Sequence, residues 1–127
     1  MIVVDTSALL AIVLDEPPSD ACIAALEAEH EVLISAGTLA EALIVSGRRG
    51  VGDGVDRLVT SLAFRVAPVT EAMARQVSDA YAKWGKGVHP AGLNLGDCFA
   101  YALAKDSDCP LLFIGDDFAR TDLKAVL

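Results

Sequence analysis

Apolar residues follow two rhythms along this chain: short β-branched runs, and longer stretches in which they recur every three or four positions. Ile2-Val3-Val4 is the first short run, and it closes on Asp5-Thr6-Ser7, residue types that cap helices, before residues 8–14 continue apolar. This predicts strand, turn and helix in that order. Pro17-Pro18 ends the segment, and Ser19 opens a second helix to about residue 29, with Cys22, Ile23 and Leu26 in its stripe. Val32-Leu33-Ile34 predicts a second strand, Ser35-Ala36-Gly37 a turn, and the residues from Thr38 to Arg49 a third helix, broken between Gly50 and Gly54. A fourth helix over 55–64 leads into Arg65-Val66-Ala67 as a third strand, stopped by Pro68.

Thr70 predicts the N-cap of a helix whose Met73, Val77, Tyr81 and Trp84 form one buried stripe. Residues 85–94, with three glycines and a proline, predict a ten-residue loop. Residues 95–105 read as helix and 110–114 as a fourth strand, with Gly115-Asp116-Asp117 as a turn before a short terminal piece. Strands alternating with helices predict an α/β domain, a parallel sheet covered on both faces, in a single unit over residues 1–127.

Composition narrows the function classes. Over 127 residues, 54% hydrophobic content excludes a disordered chain. Ten Lys plus Arg against 18 Asp plus Glu leave a net charge of −8. That is not the charge of a duplex-coating protein, and it favours divalent cations and basic partners; a nucleic-acid role needs a local basic strip. No apolar run approaches the ~20 residues that span a bilayer, and Met-Ile-Val-Val-Asp lacks the basic start of a signal peptide, so a cytoplasmic protein without membrane attachment is expected. Cys22, Cys98 and Cys109 form no C-x-x-C pair, and His30 and His89 lie near no cysteine pair, so reduced thiols are expected and zinc is not.

The candidate chemistry is acidic. In a parallel sheet, function gathers beyond the carboxyl ends of the strands. Asp5 follows the first strand, Asp116 and Asp117 the last, and Glu41 and Asp97 sit in the first turns of helices. Such carboxylates, without His or Cys, suit Mg²⁺ or Mn²⁺. Each acid also has a plain reading as a helix cap: Thr38-Leu-Ala-Glu41 and Asn94-Leu-Gly-Asp97 both have capping-box spacing. Their helices, however, are apolar nearly all round and expected to be buried, where an unpartnered carboxylate is costly. Two such acids imply a shared cation or a network.

The motifs V-V-D-T-S at 3–7, T-L-A-E at 38–41, L-N-L-G-D at 93–97 and L-L-F-I-G-D-D-F at 111–118, followed by T-D at 121–122, resemble those of PIN-domain ribonucleases, and most closely the VapC-type toxins of bacterial toxin–antitoxin pairs. The resemblance runs to about residue 123. It implies a three-layer α/β/α PIN-like domain, Mg²⁺ or Mn²⁺ in an acidic pocket, endonucleolytic RNA cleavage, a homodimer, and a cognate antitoxin that blocks the pocket. Asp5, Glu41 and Asp97 match three metal-site acids of that family. The fourth falls on Asp116, favoured as first after the strand, or on Asp117. Thr6 or Ser7 matches the hydroxyl position beside the first acid, with helix capping as the alternative.

Metal chemistry then supplies the expected mechanism: a bound cation acidifies water for in-line attack on a phosphodiester, with Glu41 as ligand or general base. Arg48, two helical turns beyond Glu41, its neighbour Arg49, and Arg120 are candidates to guide RNA phosphates; for the first two the alternative is pairing with the helix dipole. Lys83, Trp84 and Lys86 offer a stacking site between cations, although Trp84 fits its helix's buried stripe better. An antitoxin Arg or Lys could occupy the pocket in place of metal. His89 is expected in solvent. Rival readings are a haloacid-dehalogenase-type phosphoaspartyl enzyme, disfavoured by Ser7 where a second acid belongs, and a receiver domain, disfavoured by Thr6 and the missing lysine after the last strand. A non-catalytic PIN-like module that holds a basic protein partner is the alternative from another class.

Overall fold

A computed structural model describes residues 1–127. Four strands, β1 (Ile2–Val4), β2 (Val32–Ser35), β3 (Arg65–Ala67) and β4 (Leu111–Leu112), form one sheet in the order β3-β2-β1-β4, and every pairing is parallel. Six helices connect and cover them: α1 (Thr6–Val13), α2 (Ser19–Glu27), α3 (Ala36–Arg48), α4 (Gly52–Ser61), α5 (Glu71–Trp84) and α6 (Leu95–Ser107), with a 3-10 turn over Phe118–Arg120. The period-two pleat sorts the strand residues between two cores. Val3, Leu33 and Leu111 face the side of α5 and α6, among Met73, Val77, Ala100 and Leu103. Ile2, Val4, Val32, Ile34 and Leu112 face the opposite layer, among Leu9, Leu26, Ala42 and Val55. The result is the expected α/β/α arrangement, whose strands are apolar on both faces because both are covered.

Several local expectations change. Residues 35–37 are not a turn: Ser35 is the N-cap of α3, its Oγ accepting from the Gly37 amide at 3.2 Å. Thr38 is therefore not a cap but a fully buried residue inside the first turn. Serine at the end of a strand caps as well as threonine, so the helix starts as soon as the strand ends. α3 is also less buried than its composition suggests, with Ile44 exposed. α4 starts at Gly52, with Val51 at its N-cap. The fourth strand shrinks to Leu111–Leu112, because the Ile114 amide turns away to Ser7 Oγ while residues 124–126 pair with Leu111 on its outer edge. Thr70 caps α5 and Asn94 caps α6 as expected. Met73, Val77 and Trp84 are buried, but Tyr81 turns outward. All three thiols are free and buried. No helix is long and apolar enough to cross a membrane.

Candidate active site

β1 and β4 lie side by side, with the Asp5 amide donating to the Leu112 carbonyl at 3.0 Å, so the first acid emerges at the carboxyl edge of the sheet. Asp5 is the N-cap of α1: its Oδ2 accepts from the Ser7 amide at 3.0 Å and the Ser7 hydroxyl at 2.7 Å. That hydroxyl in turn accepts from the Ile114 amide at 3.0 Å. Ser7 thus ties the ends of β1 and β4 together and fixes the carboxylate's orientation. The other oxygen, Asp5 Oδ1, is buried without a hydrogen-bond partner on a residue only 3% exposed. Burial pushes the Asp5 carboxyl up to about 6, against the two Ser7 hydrogen bonds, and the charges of Asp97 and Glu41 push it further in the same direction.

Glu41 comes from the second turn of α3. Its Oε1 accepts from the Thr6 hydroxyl at 2.7 Å, a charge-assisted bond that couples α3 to the start of α1. Its Oε2 lies against the bare Cα of Gly96, where any side chain would collide with the carboxylate. Asp97 is held by the expected capping box of α6: the Asp97 amide donates to Asn94 Oδ1 at 2.8 Å, and the Asn94 amide to Asp97 Oδ2 at 3.0 Å. Burial raises its carboxyl against that backbone bond; Asp117 and Glu41 raise it further, and Lys86 opposes them. Asp117, the second of the two adjacent acids after β4, is among the charges that act on Asp97. Asp116 and Asp117 are both exposed.

Asp5, Glu41, Asp97 and Asp117 therefore share one electrostatic field, although no three acidic, histidine or cysteine side chains are drawn into a ready coordination shell. The donors nonetheless suit a hard divalent cation. They are carboxylates, one carries a buried oxygen without a donor, and Gly96 makes the room that the Glu41 carboxylate occupies. An ion here would relieve both the orphaned oxygen and the mutual repulsion.

The basic candidates separate. Arg48 ends α3 and Arg49 is its C-cap, about 10 Å along the axis from Glu41. Arg120 donates from Nη1 to the Pro90 carbonyl at 3.1 Å, on the segment that carries Lys86. Trp84 is buried, with Lys83 Nζ 5.0 Å from its ring centre. His89 is half-buried rather than in solvent, its ring edge-on to Trp84 at 4.6 Å. Cys98 packs inside, its thiol pushed up to about 11 by burial. Sequence reasoning missed Gly96 and read Lys86 only as the flank of a stacking site. The glycine between Leu95 and Asp97 was visible, but which side chain it faces depends on the packing of α6 against α3.

The PIN-domain family model matches residues 2–124. Ribonuclease VapC30 of Mycobacterium tuberculosis is 44% identical over 127 residues, covering 98% of this chain and 97% of that one. The crystal structure of VapC20 of the same species, described as a sarcin-ricin loop cleaving toxin, has a TM-score of 0.80 at 17% identity and covers 97% of this chain and 96% of that one. A toxin–antitoxin complex from Klebsiella pneumoniae has a TM-score of 0.70 at 19% identity, covering 96% and 93%. These two structures share the fold of this chain.

Proposed function

The chain belongs to the PIN-domain family, among the VapC ribonucleases, and from that premise we propose that it is a toxin endoribonuclease hydrolysing RNA phosphodiester bonds with Mg²⁺ or Mn²⁺ at Asp5, Glu41, Asp97 and Asp117. The observation that carries the metal reading is the buried, unpartnered Oδ1 of Asp5 inside the field of two further carboxylates, an arrangement that costs stability until a cation answers it. Asp5, Asp97 and Asp117 would hold the ion, with Glu41 as a ligand or as a base held by Thr6. When bound, a divalent cation supplies positive charge against the developing charge of an attacked phosphodiester and acidifies water. Ser7 keeps Asp5 aimed, the Asn94 box keeps Asp97 aimed, and the bare Cα of Gly96 lets the Glu41 carboxylate lie against α6. In this reading Asp117, whose charge acts on Asp97, is taken as the fourth acid, with its neighbour Asp116 as the alternative.

The same negative pocket suits an antitoxin Arg or Lys side chain, which would form charge-assisted hydrogen bonds where the metal binds. For the homodimer, the supporting surface is a groove of about 620 Å³ between α5 and the start of α6, lined by Val77, Tyr81, Leu95 and Phe99 among others and carrying no formal charge. On a chain of net charge −8 an uncharged face is where a second copy docks with least repulsion, and Leu95, 60% exposed at its rim, can enter the partner's groove under two-fold symmetry. Purified protein incubated with RNA should cleave only with Mn²⁺ or Mg²⁺, and Asp97→Asn from the same preparation should not. Metal-independent cleavage, or none at all from wild type, would overturn this function.

A further inference from the structure

The segment joining α5 to α6 is a fixed strap rather than an open loop. Gly85 and Leu93 form a bridge; the Lys86 amide donates to the Leu93 carbonyl and the Leu93 amide to the Trp84 carbonyl, both at 3.0 Å. The Val88 and His89 amides both close on the Gly85 carbonyl, at 3.0 and 3.1 Å. Side chains lock the interior: His89 Nδ1 accepts from the Ala91 amide at 3.0 Å, its ring stands against Trp84, and Arg120 is bonded to the Pro90 carbonyl. Ala91 and Leu93 are buried beneath it.

Lys86 sits where this strap meets the acids. Its backbone is bonded to Leu93, whose next neighbour Asn94 caps Asp97. The side chain is exposed and takes part in none of the four ion pairs of the chain. The charges of Asp117 and Glu41 act on Asp97 in the opposite sense to Lys86, and an RNA strand entering among these carboxylates meets repulsion that a cation at the scissile phosphate answers at one position only. Arg48 and Arg49 stand at the far end of α3, and Arg120 is engaged by Pro90.

We propose that Lys86 is a substrate-binding residue, contacting an RNA phosphate adjacent to the scissile one, and that the Gly85–Leu93 strap holds its backbone in place so that only the side chain is ordered at binding. The inference rests on the nuclease reading and adds a residue to it. The competing role for Lys86 is to neutralise Asp97, so the binding test is made in an Asp97→Asn background, where that charge is gone. Affinity for a short fluorescein-labelled single-stranded RNA, followed by anisotropy across a salt series, should fall about tenfold on Lys86→Gln, with the slope of log affinity against log salt shallower by about 0.7. Lys86→Arg should restore both, and Lys124→Gln, at an exposed lysine beside the start of β4, should change neither. With position 97 native, Lys86→Gln should raise KM about tenfold and leave kcat within about twofold. Unchanged affinity and slope would overturn the assignment while leaving the nuclease intact. Lys86-dependent binding with no metal-dependent cleavage by wild type would instead overturn the nuclease reading alone.

Discussion

Two aspartates of this chain sit in polar clusters at different places, and their surroundings push them in opposite directions. Asp122 follows the 3-10 turn and lies against α6. Its Oδ1 accepts from the Tyr101 hydroxyl at 2.7 Å and its Oδ2 from Lys105 Nζ at 3.0 Å, while Tyr101 accepts from Trp84 Nε1 at 2.8 Å. Partial burial works against its charge, but those two donors outweigh it and hold the carboxyl below its ordinary range. Asp5 is more deeply buried, has one satisfied oxygen and one orphan, faces like charges, and is pushed up. An acid whose oxygens are all answered by the protein is fastening the structure; an acid left unanswered in the interior is kept for something the protein does not itself contain.

The sharpest way to break that contrast is to neutralise the unanswered acids. Asp5→Asn and Asp97→Asn should each lower RNA cleavage about a thousandfold or more, because each would remove a charge from the proposed cation site. Asp5→Asn should also stabilise the fold. With its carboxyl raised from 3.8 to about 6, native Asp5 opposes folding most fully above about pH 6, by up to about 3 kcal/mol; the penalty shrinks as the pH falls through 6 and vanishes below about 3.8. Denaturation of wild type and variant should therefore diverge at pH 7.5, with the variant more stable, and converge near pH 4. Mn²⁺ should raise the melting temperature of wild type at pH 7.5 and leave Asp5→Asn nearly unmoved. A variant less stable than wild type at neutral pH would mean that Asp5 is an ordinary cap.

How far the sequence reveals this site follows from the range of the interactions. Asp5 at a strand end and Asp97 in a capping box are local facts, readable from V-V-D-T-S and N-L-G-D. The layered parallel sheet is equally readable, since β-branched runs alternate with helical periodicity. The choice between Asp116 and Asp117 is not local, because it depends on how residues 113–118 leave the sheet, and that path is set by Ile114 bonding to Ser7 across the fold. Thr38 misled for a related reason: Ser35, read as part of a turn, stands where the strand ends and caps α3 three residues earlier. Lys86 needed the closed strap, whose bonds join positions that periodicity treats as loop.

The comparison sharpens further at Thr6, which is polar and buried yet serves the unanswered cluster. Thr6→Val keeps the shape and removes the donor to Glu41 Oε1. Cleavage should fall about 10- to 100-fold, the usual effect of losing a partner that orients a metal-site carboxylate, with the fold retained. An unchanged rate would show that Glu41 needs no such support.

On the Asp122 side the same operation should cost stability and spare the chemistry. Tyr101→Phe leaves the buried Trp84 Nε1–H without an acceptor and Asp122 without its hydroxyl donor, so unfolding free energy should drop by about 1–3 kcal/mol while metal-dependent cleavage stays within about twofold of wild type. The smallest effect belongs to Lys105→Ala. Its ion pair with Asp122 is nearly half exposed on both sides, so screening leaves it worth under about 1 kcal/mol, less still at high salt. Urea unfolding of Lys105→Ala at low and high ionic strength checks this. If its loss matched that of Tyr101→Phe at both, the ammonium rather than the hydroxyl would be what secures Asp122, and the polar chain from Trp84 would be a consequence of that fastening, not its cause.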